Sequence, residues 1–182
     1  MKLNQKGKEN VFSVLQYNIL AGNLGKANRF PYVKKDLLDW QFRKKLIVQN
    51  VIETDATIVC MEELNDYEDY FKGAMFEYGY NSVYFKRPSL NESSWSGVNK
   101  YDGCGIFFKS TKFEMLEQDT LIYNDTHDRI ALFVLLQSKE SGEKIIVVAT
   151  HLYWNIKKID VQLAELKELT EKLKFVTDKW FS

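Results

Sequence analysis

Three short polar stretches follow predicted buried strands, and their residue types suit phosphate chemistry. Asn18 follows "SVLQY", Glu62 and Glu63 follow "TIVCM", and His151 follows "IIVVAT". In α/β proteins, ligands and catalytic groups gather where strands end. Carboxylate and carboxamide oxygens are ligands that Mg²⁺ accepts while it keeps several waters. An imidazole can hydrogen-bond a phosphate oxygen or transfer a proton. The pattern alone indicates an α/β domain with a candidate metal site.

Each of these residues also has a purely structural interpretation. An Asn after a strand is often a turn residue or a helix cap. The Glu62-Glu63 pair could cap the positive end of the helix that follows it. His151 could be a hydrogen-bonded histidine of the core. Because such residues occur at three strand ends, we take a shared site as the working hypothesis, and the alternatives stay open.

The elements that would position these residues alternate between strand and helix in the first half of the chain. Hydrophobic patterning predicts a strand over 11–17, a helix over 36–54 and a short buried strand in "ATIVCM". An aromatic-rich helix follows in "NDYEDYFKGAMFEYG" and is expected to end at Gly79. Further strands are predicted over 82–86, 103–109, 129–137 and 144–150, and an amphipathic helix over 157–180.

This order of elements predicts a mixed α/β domain with helices packed on a sheet. Residues 1–10 are predicted to form a flexible tail, and residues 11–182 a single domain. A content of 45% hydrophobic and 27% charged residues is typical of a globular protein. The formal net charge of zero excludes a strongly basic nucleic-acid footprint, although it leaves room for a local basic groove. The polar stretch "RPSLNESSWSGVNKYDG" is predicted to be a long loop.

The cysteines and the first residues bear on the cellular compartment. Cys60 and Cys104 lie in apolar runs, which predicts buried reduced thiols, with a disulfide as the alternative. "MKLNQKGKEN" has no apolar core of a secretory signal, and no run approaches the roughly 20 apolar residues that span a bilayer. We therefore expect a soluble intracellular protein that is cytoplasmic, with the nucleus as the alternative.

Four motifs occur in a fixed order: "VLQYNILA" (14–21), "IVCMEELNDYEDYF" (58–71), "YDGCGIFFKSTKFEML" (101–116) and "VVATHLYWN" (147–155). Together they resemble the endonuclease/exonuclease/phosphatase superfamily, which has the deoxyribonuclease I-like fold. Within it, the motifs are most similar to the catabolite-repressor type of poly(A) deadenylase and to nocturnin. The resemblance implies a four-layer α/β/β/α sandwich. It also implies a Mg²⁺-dependent phosphodiesterase, most specifically a 3′-exoribonuclease that acts on poly(A).

The resemblance also implies roles for individual residues. Asn18 and Glu63 would bind the metal ion, and His151 would contact the scissile phosphate, so that all three are catalytic. Glu62 stands where many members have Gln, which leaves the choice of metal-binding carboxylate slightly open. Asp102-Gly103-Cys104 matches a motif that opens a core strand, and its expected role is structural.

Two departures from the family pattern affect the expected substrate. Asn155-Ile156 replaces a frequent Asp-Pro pair, and Arg129 stands where relatives often have Asn, so a preference for poly(A) is an open question. Arg129 is expected to bind a phosphate through two N–H groups. Trp154 or Trp95 is expected to stack on a base, with ordinary packing as the alternative.

The family's second half carries Gly-Asp-Phe-Asn-like and Ser-Asp-His-like strand ends, which do not occur in this sequence. The sequence therefore resembles the N-terminal lobe of a two-lobe sandwich, with little activity of its own. We expect an exposed apolar patch on "RIALFVLLQ" and "KIIVVAT", and self-association through it. The expected partners are single-stranded RNA, a missing C-terminal lobe or deadenylase-complex subunits, and no membrane. The alternatives are a non-catalytic binding module with the same fold, or a phosphatase acting on a nucleotide or other small phosphate ester.

Overall fold

Two β-sheets lie face to face in the computed structural model, which describes residues 11–88, 102–125 and 127–182. β1 and β2 are parallel, and the other paired strands are antiparallel. The first sheet, in the order β1-β2-β4-β3, contains β1 (Val14–Asn18), β2 (Ile58–Leu64), β3 (Tyr80–Lys86) and β4 (Gly103–Lys109). The second, in the order β5-β6-β7, contains β5 (Phe113–Ile122), β6 (Ile130–Ser138) and β7 (Lys144–Thr150).

Helices cover the outer faces of both sheets. The helical segments are α1 (Lys35–Leu38), α2 (Trp40–Thr54), a π-helical turn (Tyr67–Phe71), α3 (Lys72–Phe76) and α4 (Ile159–Phe181). The first sheet is covered by α2 and α3, and the second by α4. The predicted helix over 36–54 is divided at Asp39, whose carboxylate accepts a hydrogen bond from the Phe42 N–H at 2.9 Å and so caps α2.

The core has three layers, and β6 contributes to two of them. Successive residues of a strand point to opposite faces. Leu132 and Val134 therefore pack between the sheets, whereas Phe133 and Leu135 pack under α4. A third layer lies between the first sheet and α2 and α3. The three core layers lie between four layers of secondary structure, in the order α/β/β/α. The predicted fold class is confirmed.

The expected apolar patch on β6 is wrong. Residues 130–136 are buried because α4 covers the outer face of the strand, and β7, at the sheet edge, is half-buried along most of its length. Several apolar side chains of α4 are exposed instead. Leu169 and Val176 of the predicted stripe pack on the sheet, whereas Ile159, Leu163, Leu166 and Leu173 are exposed to solvent.

The strand β5 is absent from the sequence-based prediction. Glu114, Glu117 and Asp119 lie within it, and acidic residues are depleted in strands; the structure tolerates them because β5 is an edge strand with most of its side chains in solvent. Cys60 and Cys104 are free and buried, as predicted, and burial raises the pKa of the Cys60 thiol to about 12.

Two predicted segments fall wholly or partly on residues that the structure does not describe. The predicted tail over 1–10 and the loop residues 89–101, which include Trp95, lie outside the described residues. Within the described ranges, no helix has the length and apolar character needed to cross a bilayer.

Candidate functional site

The parallel pairing of β1 with β2 brings Asn18 beside the Glu62-Glu63 pair. Between Met61 and Leu64 the register of β2 against β4 shifts, and Glu63 has φ 54°, in the left-handed region. This conformation costs a non-glycine residue on the order of 1–2 kcal/mol. Gly105 of β4 faces this stretch of β2, and a Cβ there would lie 2.4 Å from Leu64 Cδ2. The local irregularity therefore determines which glutamate faces the site.

The two glutamates have different environments. Glu62 is 2% exposed, and its Oε2 accepts a hydrogen bond from Gln16 Nε2 at 2.7 Å. Burial raises the pKa of the Glu62 carboxyl to about 7. The Glu63 side chain is 15% exposed and lies against Asn18 and His151. The structure thus brings Glu63, rather than Glu62, to the predicted site.

Asn18 links Glu63 to the turn that follows β1. Its Nδ2 donates to Glu63 Oε1 at 3.2 Å, and its Oδ1 accepts from the Leu20 N–H at 3.0 Å. The Ala21 N–H donates to Glu63 Oε2 at 3.3 Å. Asn18 is therefore both a turn residue and a neighbour of the candidate metal ligand, so the two interpretations of its role are compatible.

His151 lies between a carboxylate and a guanidinium. Its Nδ1 is 3.8 Å from Glu63 Oε1 and 3.4 Å from Arg129 Nη1. The two contacts favour opposite tautomers, because a guanidinium can only donate and a carboxylate can only accept. The shorter contact is to Arg129, and burial followed by the Arg129 charge lowers the pKa of His151 despite the opposing effect of Glu63. We therefore assign a neutral imidazole that accepts at Nδ1 and carries its hydrogen on Nε2.

Arg129 is buried within a group of charged side chains. Arg87 donates to Asp102 Oδ1 at 2.9 Å, and its Nη1 lies 3.6 Å from Asp128 Oδ1. These contacts connect the end of β3, the start of β4 and the segment before β6. The Asp102-Gly103 step thus joins strands together, which agrees with the structural role expected for it.

Some residues near the site give little signal in the sequence. The rings of His127 and Tyr153 stack with centroids 3.9 Å apart, and the Arg129 guanidinium is 6.0 Å from the Tyr153 ring. Trp154 is 68% exposed, and its ring is 6.0 Å from that of Tyr153. Tyr153 is close to His151 in the sequence, which indicates that it lies near the site. Nothing in the sequence predicts that it stacks on His127.

Besides Asn18, a residue that was not predicted as part of the site holds the turn after β1. Arg43, on α2, donates from Nη2 to the carbonyl oxygens of Ile19 and Leu20 at 2.6 and 2.7 Å. These bonds fix the backbone that follows Asn18. An arginine on a helix gives no sequence signal of this role, because its carbonyl partners lie on a separate segment.

Carboxylate and amide oxygens are the donors that a hard divalent cation such as Mg²⁺ takes while it retains water. Glu63 and Asn18 carry such oxygens, although Asn18 turns its Nδ2 toward Glu63 and its Oδ1 toward the Leu20 N–H. Within the described part of the chain, no three His, Cys, Asp or Glu side chains are grouped so that they could hold a metal ion. A metal ion bound here would take only part of its coordination shell from Glu63 and Asn18.

Residues 15–169 match the Endonuclease/Exonuclease/phosphatase family. The chain belongs to this family. It is 30% identical to the CCR4-Not complex 3'-5'-exoribonuclease subunit Ccr4 of Candida albicans, over 98% of the chain and 25% of that protein. It is also 30% identical to the Ccr4 subunit of Mycosarcoma maydis, over 89% of the chain and 27% of that protein.

Solved structures agree with this family. ANGEL2, a 2',3'-cyclic phosphatase, superposes with a TM-score of 0.74 at 29% identity, over 85% of this chain and 44% of that one. The human Nocturnin catalytic domain, with a bound sulfate anion, superposes with a TM-score of 0.71 at 25% identity, over 89% and 58%. The chain therefore belongs to the Ccr4 and Nocturnin branch, which includes hydrolytic nucleases and phosphatases. It spans about a quarter of the length of the two fungal proteins.

Proposed function

We propose that this chain carries the metal- and phosphate-binding half of a Mg²⁺-dependent phosphodiesterase, a 3′-exoribonuclease of the poly(A) deadenylase type. One observation carries the proposal: Asn18 and His151 lie 3.2 and 3.8 Å from the same oxygen of Glu63, although the three residues come from three strand ends. The similarity to Ccr4 exoribonuclease subunits supports the reaction class. The sulfate bound to the similar human Nocturnin domain supports an oxyanion ligand.

Each residue then has a defined task. Glu63 and Asn18 would hold the Mg²⁺ ion, which when bound would polarise the phosphodiester and stabilise negative charge. His151 donates its Nε2–H to a phosphate oxygen, and Arg129 adds a positive charge behind it. The exposed ring of Trp154 offers a stacking surface for a base.

We further propose that this half needs additional strands to form a complete site. β1 is an edge strand of the first sheet, and β7 is an edge strand of the second. β7 packs over β2 and β4, whereas β6 packs over β4 and β3, so among the described strands the β1 and β7 edges lie on the same side of the sandwich. Val14, on the inner face of β1, is 56% exposed there. The 44% and 58% spans of the two solved structures agree with a longer domain.

Metal binding is tested by adding Mn²⁺ and following paramagnetic broadening of backbone amide signals. Signals of residues 18–21 and of Glu63 should broaden first, and Glu63→Gln should remove the effect. Glu68→Gln is the matched control, since Glu68 is a surface residue paired with Lys72. Unchanged broadening in Glu63→Gln would refute the metal site, and the absence of any Mn²⁺ binding would favour the non-catalytic binding module.

Catalysis is tested with a 5′-labelled oligo(A) RNA and Mg²⁺. Loss of members of a concerted site costs many powers of ten, so we expect turnover far below the roughly 1 s⁻¹ of an ordinary enzyme. The residual products should shorten from the 3′ end, and His151→Ala should abolish them. Turnover at ordinary rates would contradict the need for further strands. Endonucleolytic products would contradict the 3′-exoribonuclease.

A second candidate is a phosphatase that acts on a small phosphate ester or an RNA end. The observation that favours it is the similarity to ANGEL2, for which a complex with adenosine-2',3'-vanadate is known. The same assay distinguishes the two when the oligo(A) ends in a 2′,3′-cyclic phosphate instead of a hydroxyl. Opening of the cyclic phosphate without shortening would favour the phosphatase.

The similarity to Ccr4 also supports candidate partners, because those proteins are subunits of the CCR4-Not complex. We propose single-stranded RNA and subunits of such a complex as partners, with the cytoplasm as the location.

A further inference from the structure

α4 holds the backbone of the segment that follows His151. Glu165 is 1% exposed, which is rare for a carboxylate unless it has partners. Its Oε2 accepts a hydrogen bond from the Tyr153 N–H at 2.7 Å. Gln162, one turn earlier, donates from Nε2 to the Tyr153 carbonyl at 2.6 Å. Both backbone groups of Tyr153 are therefore bound to side chains of one helix.

The other oxygen of Glu165 is buried with a second carboxylate. Glu165 Oε1 and Asp125 Oδ2 are both inaccessible to solvent, and among the described residues neither has a hydrogen-bond donor. Two ionised carboxylates in this position would repel each other without compensation. A single proton shared between them would satisfy both oxygens. In accordance with this, burial and then the Asp125 carboxyl raise the pKa of Glu165 to about 7, although the Tyr153 N–H opposes the shift.

Asp125 in turn belongs to the segment that carries Arg129. Its Oδ1 accepts from the His127 N–H at 2.7 Å, and Glu168 of α4 accepts from the Asn124 N–H at 2.9 Å. Asn124 and Asp125 before β6, and Tyr153 after β7, are thus anchored to the same face of α4. The contacts that cross between the two segments include the Arg129–His151 hydrogen bond, the His127–Tyr153 stack and the Arg129 guanidinium beside the Tyr153 ring.

We propose that Glu165 is a positioning residue for this site: through one proton shared with Asp125, it holds the segment of Arg129 against the segment of His151. The role of His151 at this site rests on the proposed function. When the proton is lost, two carboxylates face each other with Arg129 as the nearby cation, and Glu168 and the Tyr123 hydroxyl are the other titratable groups close by. The repulsion then loosens the two segments.

Amide hydrogen exchange measured by NMR at pH 6 and pH 8.5, corrected for the intrinsic rates, tests this role. In Glu165→Ala at pH 6, exchange of the Tyr153 and His127 amides should accelerate by roughly tenfold, as expected for the loss of a hydrogen bond. Glu165→Gln should keep both amides protected at both pH values, because an amide accepts from Tyr153 and donates to Asp125 without a shared proton. The unsubstituted chain should lose protection between pH 6 and pH 8.5.

Two controls separate positioning from general stability. Glu171→Ala removes a glutamate from the exposed side of α4, where it pairs with Lys167, and should leave the exchange unchanged. Amides of β6 report on global unfolding and should not accelerate in Glu165→Ala. The chain has two histidines, so the imidazole nitrogen shifts of His151 can be followed as well; they should change in Glu165→Ala and not in Glu165→Gln.

Several outcomes would overturn the proposal: equal acceleration of the β6 amides, a Glu165→Gln variant that behaves like Glu165→Ala, or a protein whose protection does not depend on pH. If Glu165→Ala does not fold, the pH comparison between the unsubstituted chain and Glu165→Gln still decides. No substrate or turnover is measured, so this proposal can fail while the proposed function stands, and the reverse.

Discussion

Replacing Gly103 with Ala is expected to destabilise the domain by about 2–4 kcal/mol. Gly103 is the first residue of β4 and pairs with Lys86 of β3. A Cβ at this position would lie 2.1 Å from the Phe85 carbonyl oxygen and 2.9 Å from Lys86 Cα. The first distance is more than about 1 Å inside an ordinary C···O contact of about 3.3 Å. The obstructing atoms are backbone, so no side-chain rotation can relieve the clash.

The expected magnitude follows from what must move. Overpacking of this kind costs about 1–3 kcal/mol. Separating the strand ends also strains the hydrogen bond from the Arg87 N–H to the Asp102 carbonyl, which is 3.0 Å long, and loss of such a bond adds about 1 kcal/mol. The Arg87–Asp102 ion pair beside it would be displaced as well.

Urea unfolding followed by circular dichroism measures this loss, and Gly73→Ala is the matched control. Gly73 lies in α3, and a Cβ added to it would meet no atom within 4 Å, so Ala should raise the free energy of unfolding by up to about 1 kcal/mol there. A Gly103→Ala variant that loses less than about 1 kcal/mol, or a Gly73→Ala variant that loses as much, would refute the steric argument.

Three further predictions use the same unfolding measurement. Asp39→Ala removes the cap of α2 and should cost about 0.5–2 kcal/mol; no change would mean that the cap is not formed in solution. Leu132→Ala should cost about 2–5 kcal/mol because Leu132 is buried between the sheets. Leu163 is exposed on α4, so Leu163→Ala should cost less than about 0.5 kcal/mol. Equal losses in the two variants would contradict the orientation of α4. The pKa of Glu62 is about 7 in the folded protein and near 4.5 in the unfolded chain. The stability that the Glu62 carboxyl contributes is therefore fully present below pH 4.5 and is lost as the pH rises through 7. Glu62→Gln should therefore gain stability relative to the unsubstituted chain at pH 8, by roughly 3 kcal/mol at most, and little at pH 5; an equal effect at both pH values would count against the shift.

The meeting of Asn18, Glu63 and His151 could be predicted because polar residues after buried strands collect at one edge of a sheet. The choice of Glu63 over Glu62 came from the resemblance to the family, and the strand pattern alone could not make it. Strand alternation alone does not indicate a bulge, and the left-handed backbone of Glu63 is unusual for a residue with a side chain. Gly105, whose missing side chain leaves room for Leu64, lies on a different strand, so this close approach becomes visible only when β2 and β4 are paired.

The orientation of α4 also lies beyond the sequence pattern. Leucines at spacings of three and four residues predict the packed face, yet Leu163 and Leu166 are exposed and Glu165 is buried. Periodicity identifies a helix with an apolar stripe, but it does not say which surface the stripe meets. The face of α4 toward the site is determined instead by hydrogen bonds to Tyr153 and Asn124, which are long-range contacts.

The parallel pairing of β1 with β2 has a consequence for folding kinetics. Asn18 and Glu63 are 45 positions apart along the chain, and α2 lies on the connection between their strands. Contacts of high sequence separation form late because the entropy of loop closure must first be overcome. The two candidate ligands therefore come together only after this crossover unit has closed.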